Sequence, residues 1–165
     1  MQKPRIVESL PKILVGLHLE MTYATSALTG KLWSQFMPRR MEVTNAVSQD
    51  KYSLQVFKNG FDWNSTDAHT QFVKWAGMEV NDKNSIPDGM QSFDLEGGLY
   101  AVFIHQGLPN AFPKTLHYIL NEWIPSSGYE PDASRPQYEV LGEKYMNNHP
   151  DSEEEVWFPI KKVRH

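Results

Sequence analysis

A pattern that runs twice along the 165 residues constrains the fold most: a strand, a helix, then two strands. In the first pass, Lys12 to Thr22 alternates Ile13, Val15, Leu17 and Leu19 with other residues, the period of a strand. Thr25 or Ser26 is expected to cap a helix. Leu28, Leu32 and Phe36 then recur at helical spacing, with Trp33 and Met37 widening the stripe. Pro38 ends or kinks that helix. Tyr52 to Lys58 and Phe72 to Val80 read as the next two strands.

Asn84 to Gly98 reads as a loop, because Pro87-Asp88-Gly89 is a strong turn signal. The second pass opens on Leu99 to His105, whose apolar run suits a central strand. Pro113 fits a first helical turn, and Leu116, Ile119, Leu120, Trp123 and Ile124 make a helical stripe. Pro125-Ser126-Ser127-Gly128 stops the helix. Gln137 to Leu141 and Glu155 to Val163 are the last strands, joined by an acidic turn. The expectation is an α+β fold in which duplicated strand–helix–strand–strand units form a mostly antiparallel sheet. Two helices cover one face, and a pocket lies near the pseudo-twofold axis. Residues 1–165 are read as one domain, with repeats at about 5–82 and 97–163.

Composition excludes several function classes. There are no cysteines, so disulfides, thiolate chemistry and the usual zinc frameworks drop out. No apolar run approaches the ~20 residues of a membrane span, and the expected location is the cytoplasm. The net charge is −4, and the densest basic clusters, Arg39-Arg40 and Lys161-Lys162, are short. That is not the basic stripe of a nucleic-acid binder. The six histidines show no metal-ligand spacing, and no phosphate loop or nucleophile elbow is present. No cofactor, metal or catalytic residue is expected.

Several stretches together resemble the GyrI-like, or AraC-type effector-binding, superfamily. They are Phe72-Val-Lys-Trp-Ala-Gly-Met-Glu-Val80, Gly97-Gly-Leu-Tyr-Ala-Val-Phe103, Trp123-Ile-Pro-Ser-Ser-Gly-Tyr-Glu130 with Arg135-Pro-Gln-Tyr-Glu139, and Glu155-Val-Trp-Phe-Pro-Ile-Lys161. The resemblance runs from about Arg5 to Lys162. It implies a pseudo-twofold fold with a ligand pocket near the internal axis. Relatives of this kind include regulator domains sensing lipophilic cations, free-standing drug-binding proteins, a gyrase-modulating protein and hydrolases of strained cyclic drugs. With no helix-turn-helix segment ahead of the first strand, the chain is expected to sense or sequester a ligand and to act on transcription, if at all, in trans. The alternatives are a hydrolase or a protein-interaction role, with a protein partner or a second copy of the chain.

Strand alternation then selects the candidate ligand-binding residues. In the last strand Val156, Phe158 and Ile160 share the face that suits helix packing, while Glu155, Trp157 and Pro159 share the other. Glu155 beside Trp157 pairs a carboxylate with an indole, the combination that holds an organic cation. Trp75 is the expected pseudo-symmetric mate of Trp157. Tyr138-Glu139 matches an aromatic–Glu pair that the resemblance places in the fifth strand, which makes Glu139 a second anchor. Tyr100 and Trp123 complete the set, with core packing as the competing role of Trp123. The expected ligand is a lipophilic, cationic, aromatic small molecule.

Overall fold

The computed structural model describes residues 3–164; Met1, Gln2 and His165 lie outside it. Its strands are β1 (Arg5–Ser9), β2 (Lys12–Thr22), β3 (Lys51–Phe57), β4 (Gln71–Val80), β5 (Gln91–Leu95), β6 (Gly98–Gln106), β7 (Tyr129–Pro131), β8 (Gln137–Leu141) and β9 (Glu153–Lys162). They form a nine-stranded sheet in the order β1-β6-β9-β8-β3-β4-β2-β5, with β7 on β9. Every pairing is antiparallel. The α+β architecture and the two helical units match the sequence expectation.

The sheet is not open. The β1 ladder runs from Arg5↔Val102 to Ser9↔Gly98 on β6. After the bend at Leu10-Pro11 the same register resumes on β5, from Lys12↔Leu95 to Gly16↔Gln91. So β1–β2 and β5–β6 are two long bent strands paired with each other. Since β2 also pairs with β4 and β6 with β9, the ladder joins its own ends in a ring. Proline at the bend is tolerated because it gives up a donor where the ladder is interrupted.

This closure corrects the reading of Asn84–Gly98 as pure loop, since β5 lies inside it. Strands β1 and β7 were also not expected. Each is only three to five residues long, too short to show a period.

Ring closure gives the sheet an inside and an outside. Leu14, Tyr52, Leu54, Trp75, Leu95, Tyr100, Val102, Tyr138, Val140 and Trp157 pack together on the inside, with no helix among them. The helices lie outside. The first, α1 (Leu28–Phe36), buries Leu32 and Phe36 against Val15, Ala76, Met78 and Val80. The second, α2 (Phe112–Tyr118), runs through a π-helical turn (Ile119–Trp123) into α3 (Ile124–Ser127). Its fully buried Ile119 meets Phe103, Val156, Phe158 and Ile160.

Two helix-end details differ from expectation. Thr25 exchanges hydrogen bonds with Thr22 around a 3-10 turn, while the N-cap of α1 is Ala27, with no side-chain cap. Pro125 lies inside the final turn, and Gly128, at φ 81°, ends the helix. A proline clashes with the carbonyl four residues earlier, and the widened π turn precedes it there.

Candidate functional site

The predicted residues occupy three different places. Trp157, Tyr138, Trp75 and Tyr100 are inside the ring. Trp75, Leu54, Tyr138 and Trp157 form one row across β4, β3, β8 and β9, which makes Trp75 and Trp157 mates across the β3–β8 seam. Tyr138 stacks on Trp157 at 5.5 Å, and Tyr100 meets both edge-on. Burial raises the Tyr100 hydroxyl and drives that of Tyr138 well above its ordinary range, and among the described residues neither has a hydrogen-bond partner. Trp123 lies elsewhere, edge-on to Phe103 and stacked with Tyr129 under the second helix.

Glu155 sits at one end of the interior and does accept from the indole of Trp157, at 3.1 Å. The expected unpaired carboxylate is not found there. Arg5 donates to Glu155 from both terminal nitrogens at 3.1 Å, and Glu155 is 33% exposed. The ring faces are taken as well. The Lys12 ammonium lies 4.8 Å from the Trp157 ring and 5.2 Å from that of Tyr52, and donates to the Tyr52 hydroxyl. The chain's own cations fill the aromatic box, so this region is a core with a charged end.

Glu139 faces the other way. Its register partners are Ser53 and Val156, which places it on the helix-bearing side, over the central strands between the two helical units. There Gln55 and Gln137, directly opposite each other on β3 and β8, build a buried polar floor. Gln55 Nε2 donates to Gln137 Oε1 at 2.7 Å and to Glu139 Oε2 at 3.0 Å. Gln137 Nε2 donates to the same Glu139 oxygen at 2.9 Å. Lys74, on β4, donates its ammonium to Gln55 Oε1.

Glu139 is only 8% exposed, and among the described residues it forms no ion pair. A buried carboxylate held only by neutral amides is costly. Its neighbours register the charge. Burial, then Glu139, raises the Tyr23 hydroxyl to about 12. Burial first and Glu139 second push the Glu154 carboxyl up to about 8, against the pull of Lys74.

A separate open depression of about 560 Å³ lies where β8 ends and β9 begins, and Glu139, Gln55 and Gln137 do not line it. Asp50, Glu143, Glu153, Glu154 and Glu155 line it, against the single cation Lys144, with Ile104, Val140 and Gly142 as its apolar wall. Burial and then the charge of Glu154 also raise Tyr145, which places that phenol close to the acid. Excess negative charge and an apolar wall at one opening suit an organic cation. Among the described residues, no group of three or more His, Asp or Glu is arranged to hold a metal, and no helix is long and apolar enough to cross a membrane.

Of the acids on the last two strands, the sequence pointed to Glu139 and Glu155 and passed over Glu154. It also passed over Lys74, Gln55, Gln137 and Tyr23. A signal was available: Ser53 and Gln55 alternate with Tyr52, Leu54 and Val56 in a strand buried on both faces, so their polar side chains share a covered surface.

Glu154 makes a pH prediction. Its carboxyl is raised from 4.5 to about 8 in the fold, so folding takes up a proton between those values. The associated stability is fully present below the unfolded value and is lost as pH rises through the folded one. Denaturant midpoints are expected to fall between pH 5 and 8.5, and Glu154→Gln to flatten that fall. An unchanged slope in the variant would assign the pH dependence to another group.

The curled antiparallel sheet with two outer helical units is the fold of a small-molecule-binding module. The chain belongs to the GyrI-like small molecule binding domain family, whose model matches residues 2–161. It is 28% identical over 160 residues to the transcriptional regulator BrlR of Pseudomonas aeruginosa, covering 94% of this chain and 54% of that protein, so it spans about half the length of this curated relative. Its fold is similar to the structure of SAV2435 bound to tetraphenylphosphonium, with a TM-score of 0.75 at 12% identity, covering 97% and 94% of the two chains. It also resembles EcmrR in a complex with DNA, with a TM-score of 0.66 at 17% identity, covering 98% of this chain and 58% of EcmrR. At these identities the structural likenesses establish the fold.

Proposed function

We propose that a cleft between the helical units, floored by Glu139, binds lipophilic, cationic, aromatic small molecules, with Glu139 as the charge anchor. The observation that carries this reading is the buried Glu139 carboxylate, held by two glutamine amides and by no ion pair. An arriving cation relieves that cost. The acids Asp50, Glu143 and Glu153 at the nearby end of the sheet raise the local concentration of cations. The tetraphenylphosphonium complex of SAV2435, a protein of the same fold, supports the choice of ligand class.

Calorimetric titration with tetraphenylphosphonium tests this. The expected result is saturable one-to-one binding, with stabilisation of about 2.7 kcal/mol when free ligand reaches 100 times Kd. Triphenylphosphine oxide, aromatic but neutral, is expected to bind at least ~10-fold more weakly, a difference of about 1.4 kcal/mol. Equal affinity for the two would remove the electrostatic part of the reading. A product formed from a strained electrophile would place the chain among hydrolases.

A further inference from the structure

Lys74 is buried on the helix-bearing side of β4, 8% exposed, with Phe72 and Ala76 as same-face neighbours along the strand. A lysine there normally extends its ammonium to water. This one ends instead on Gln55 Oε1, while the other end of the same amide donates to Glu139. One glutamine therefore stands between an ammonium and a carboxylate that make no direct ion pair. Burial lowers the affinity of Lys74 for its proton, and the negative charges of Glu139 and Glu154 oppose that. The positive charge is thus balanced by Glu139 across the Gln55 amide.

We propose that Lys74 is a resident cation that sets the charge selectivity of the cleft: a bound organic cation competes with its ammonium for Glu139. This rests on the reading of the cleft as the cation site. A ligand bearing one positive charge enters a floor that already holds one, so Lys74 weakens the very interaction that Glu139 supplies. Gln55 is the spacer that keeps the ammonium from collapsing onto the carboxylate and closing the site with an internal salt bridge. The selectivity is therefore a difference between two buried charges of opposite sign, and it is adjustable at one position.

Tetraphenylphosphonium and tetraphenylborate are nearly the same shape with opposite charge, and the full chain is titrated with each. Lys74→Gln keeps an amide donor for Gln55 and removes the charge; Lys74→Met removes both; Lys74→Arg keeps both. Phosphonium affinity is expected to rise by about tenfold in Lys74→Gln and Lys74→Met, as removal of a nearby like charge requires, and the phosphonium-to-borate ratio is expected to rise with it. Lys74→Arg is expected to stay within about twofold of the parent. If the wild-type protein binds phosphonium but neither neutral variant gains affinity, or Lys74→Arg gains as much as they do, the proposal is overturned and Lys74 is a packing residue. If a neutral variant does not fold, as circular dichroism would show, the other neutral variant and Lys74→Arg decide between the same two results. Absence of saturable phosphonium binding to the wild-type protein is a different failure, that of the cleft as a cation site.

Discussion

Glu139→Gln is expected to cut tetraphenylphosphonium affinity by about 30- to 100-fold, roughly 2–3 kcal/mol, while leaving affinity for triphenylphosphine oxide within about threefold. The substitution changes charge and almost nothing else. Glutamine has the shape of glutamate, and its amide oxygen can still accept from Gln55 and Gln137, the partners at 3.0 and 2.9 Å. The expected loss is large because the site is covered: Coulomb interactions in a partly desolvated setting are several times stronger than in water. The same substitution at Glu155 is expected to change affinity little, since Arg5 and Trp157 already satisfy that carboxylate. Equal losses at the two positions would show a diffuse acidic field in place of a specific anchor.

The largest expected effect on stability comes from Gly16→Ala. Gly16 pairs with Gly77 where β2 meets β4. A Cβ on Gly16 would run into the Ala76 carbonyl oxygen and lie 2.6 Å from Gly77 Cα. These are backbone atoms in a paired strand, so no side chain can turn aside to make room. Overpacking of this kind costs about 3 kcal/mol or more. For a chain of this size that is a loss of roughly 6–12 °C in Tm. Gly30→Ala is the control, because its Cβ would meet nothing within 4 Å, and it is expected to leave Tm unchanged or slightly higher. A loss at Gly16 no greater than at Gly30 would mean that β2 and β4 can move apart at little cost.

The architecture was legible because each repeat carries two independent periods. Leu28, Leu32 and Phe36 fix one helix and Leu116, Ile119 and Trp123 the other, while the alternation in Lys12–Thr22 and Phe72–Val80 fixes the long strands. What could not be read was closure. It depends on Arg5–Ser9 and Gln91–Leu95, short segments rich in charged and polar residues, and Pro87-Asp88-Gly89 masked the second. Closure decides the meaning of each face. In an open sheet the side away from the helices is a concave surface with room for a ligand beside Trp157. In a ring it is a filled interior, where Lys12 and Arg5 already satisfy the rings and Glu155.

Strand parity, by contrast, carries one step further than it was used. Tyr138 inside requires Glu139 outside, on the side where the helices leave the central strands between them. Lys74 and Gln55 follow by the same rule. They look like interruptions in otherwise apolar strands, and a single sequence does not show that two such interruptions on neighbouring strands face each other. The register Gln55↔Gln137 and Gln55↔Lys74 supplies that.

A crystal structure of the chain with tetraphenylphosphonium tests the location of the charge anchor most directly. The phosphorus is expected over the β3–β8 seam on the helix-bearing side, roughly 4–6 Å from the Glu139 carboxylate, the range over which an opposite charge acts strongly on a carboxylate. Phosphonium packed among Trp157, Tyr138 and Tyr100 inside the ring, with Glu139 still held by its two glutamines and untouched, would contradict that placement.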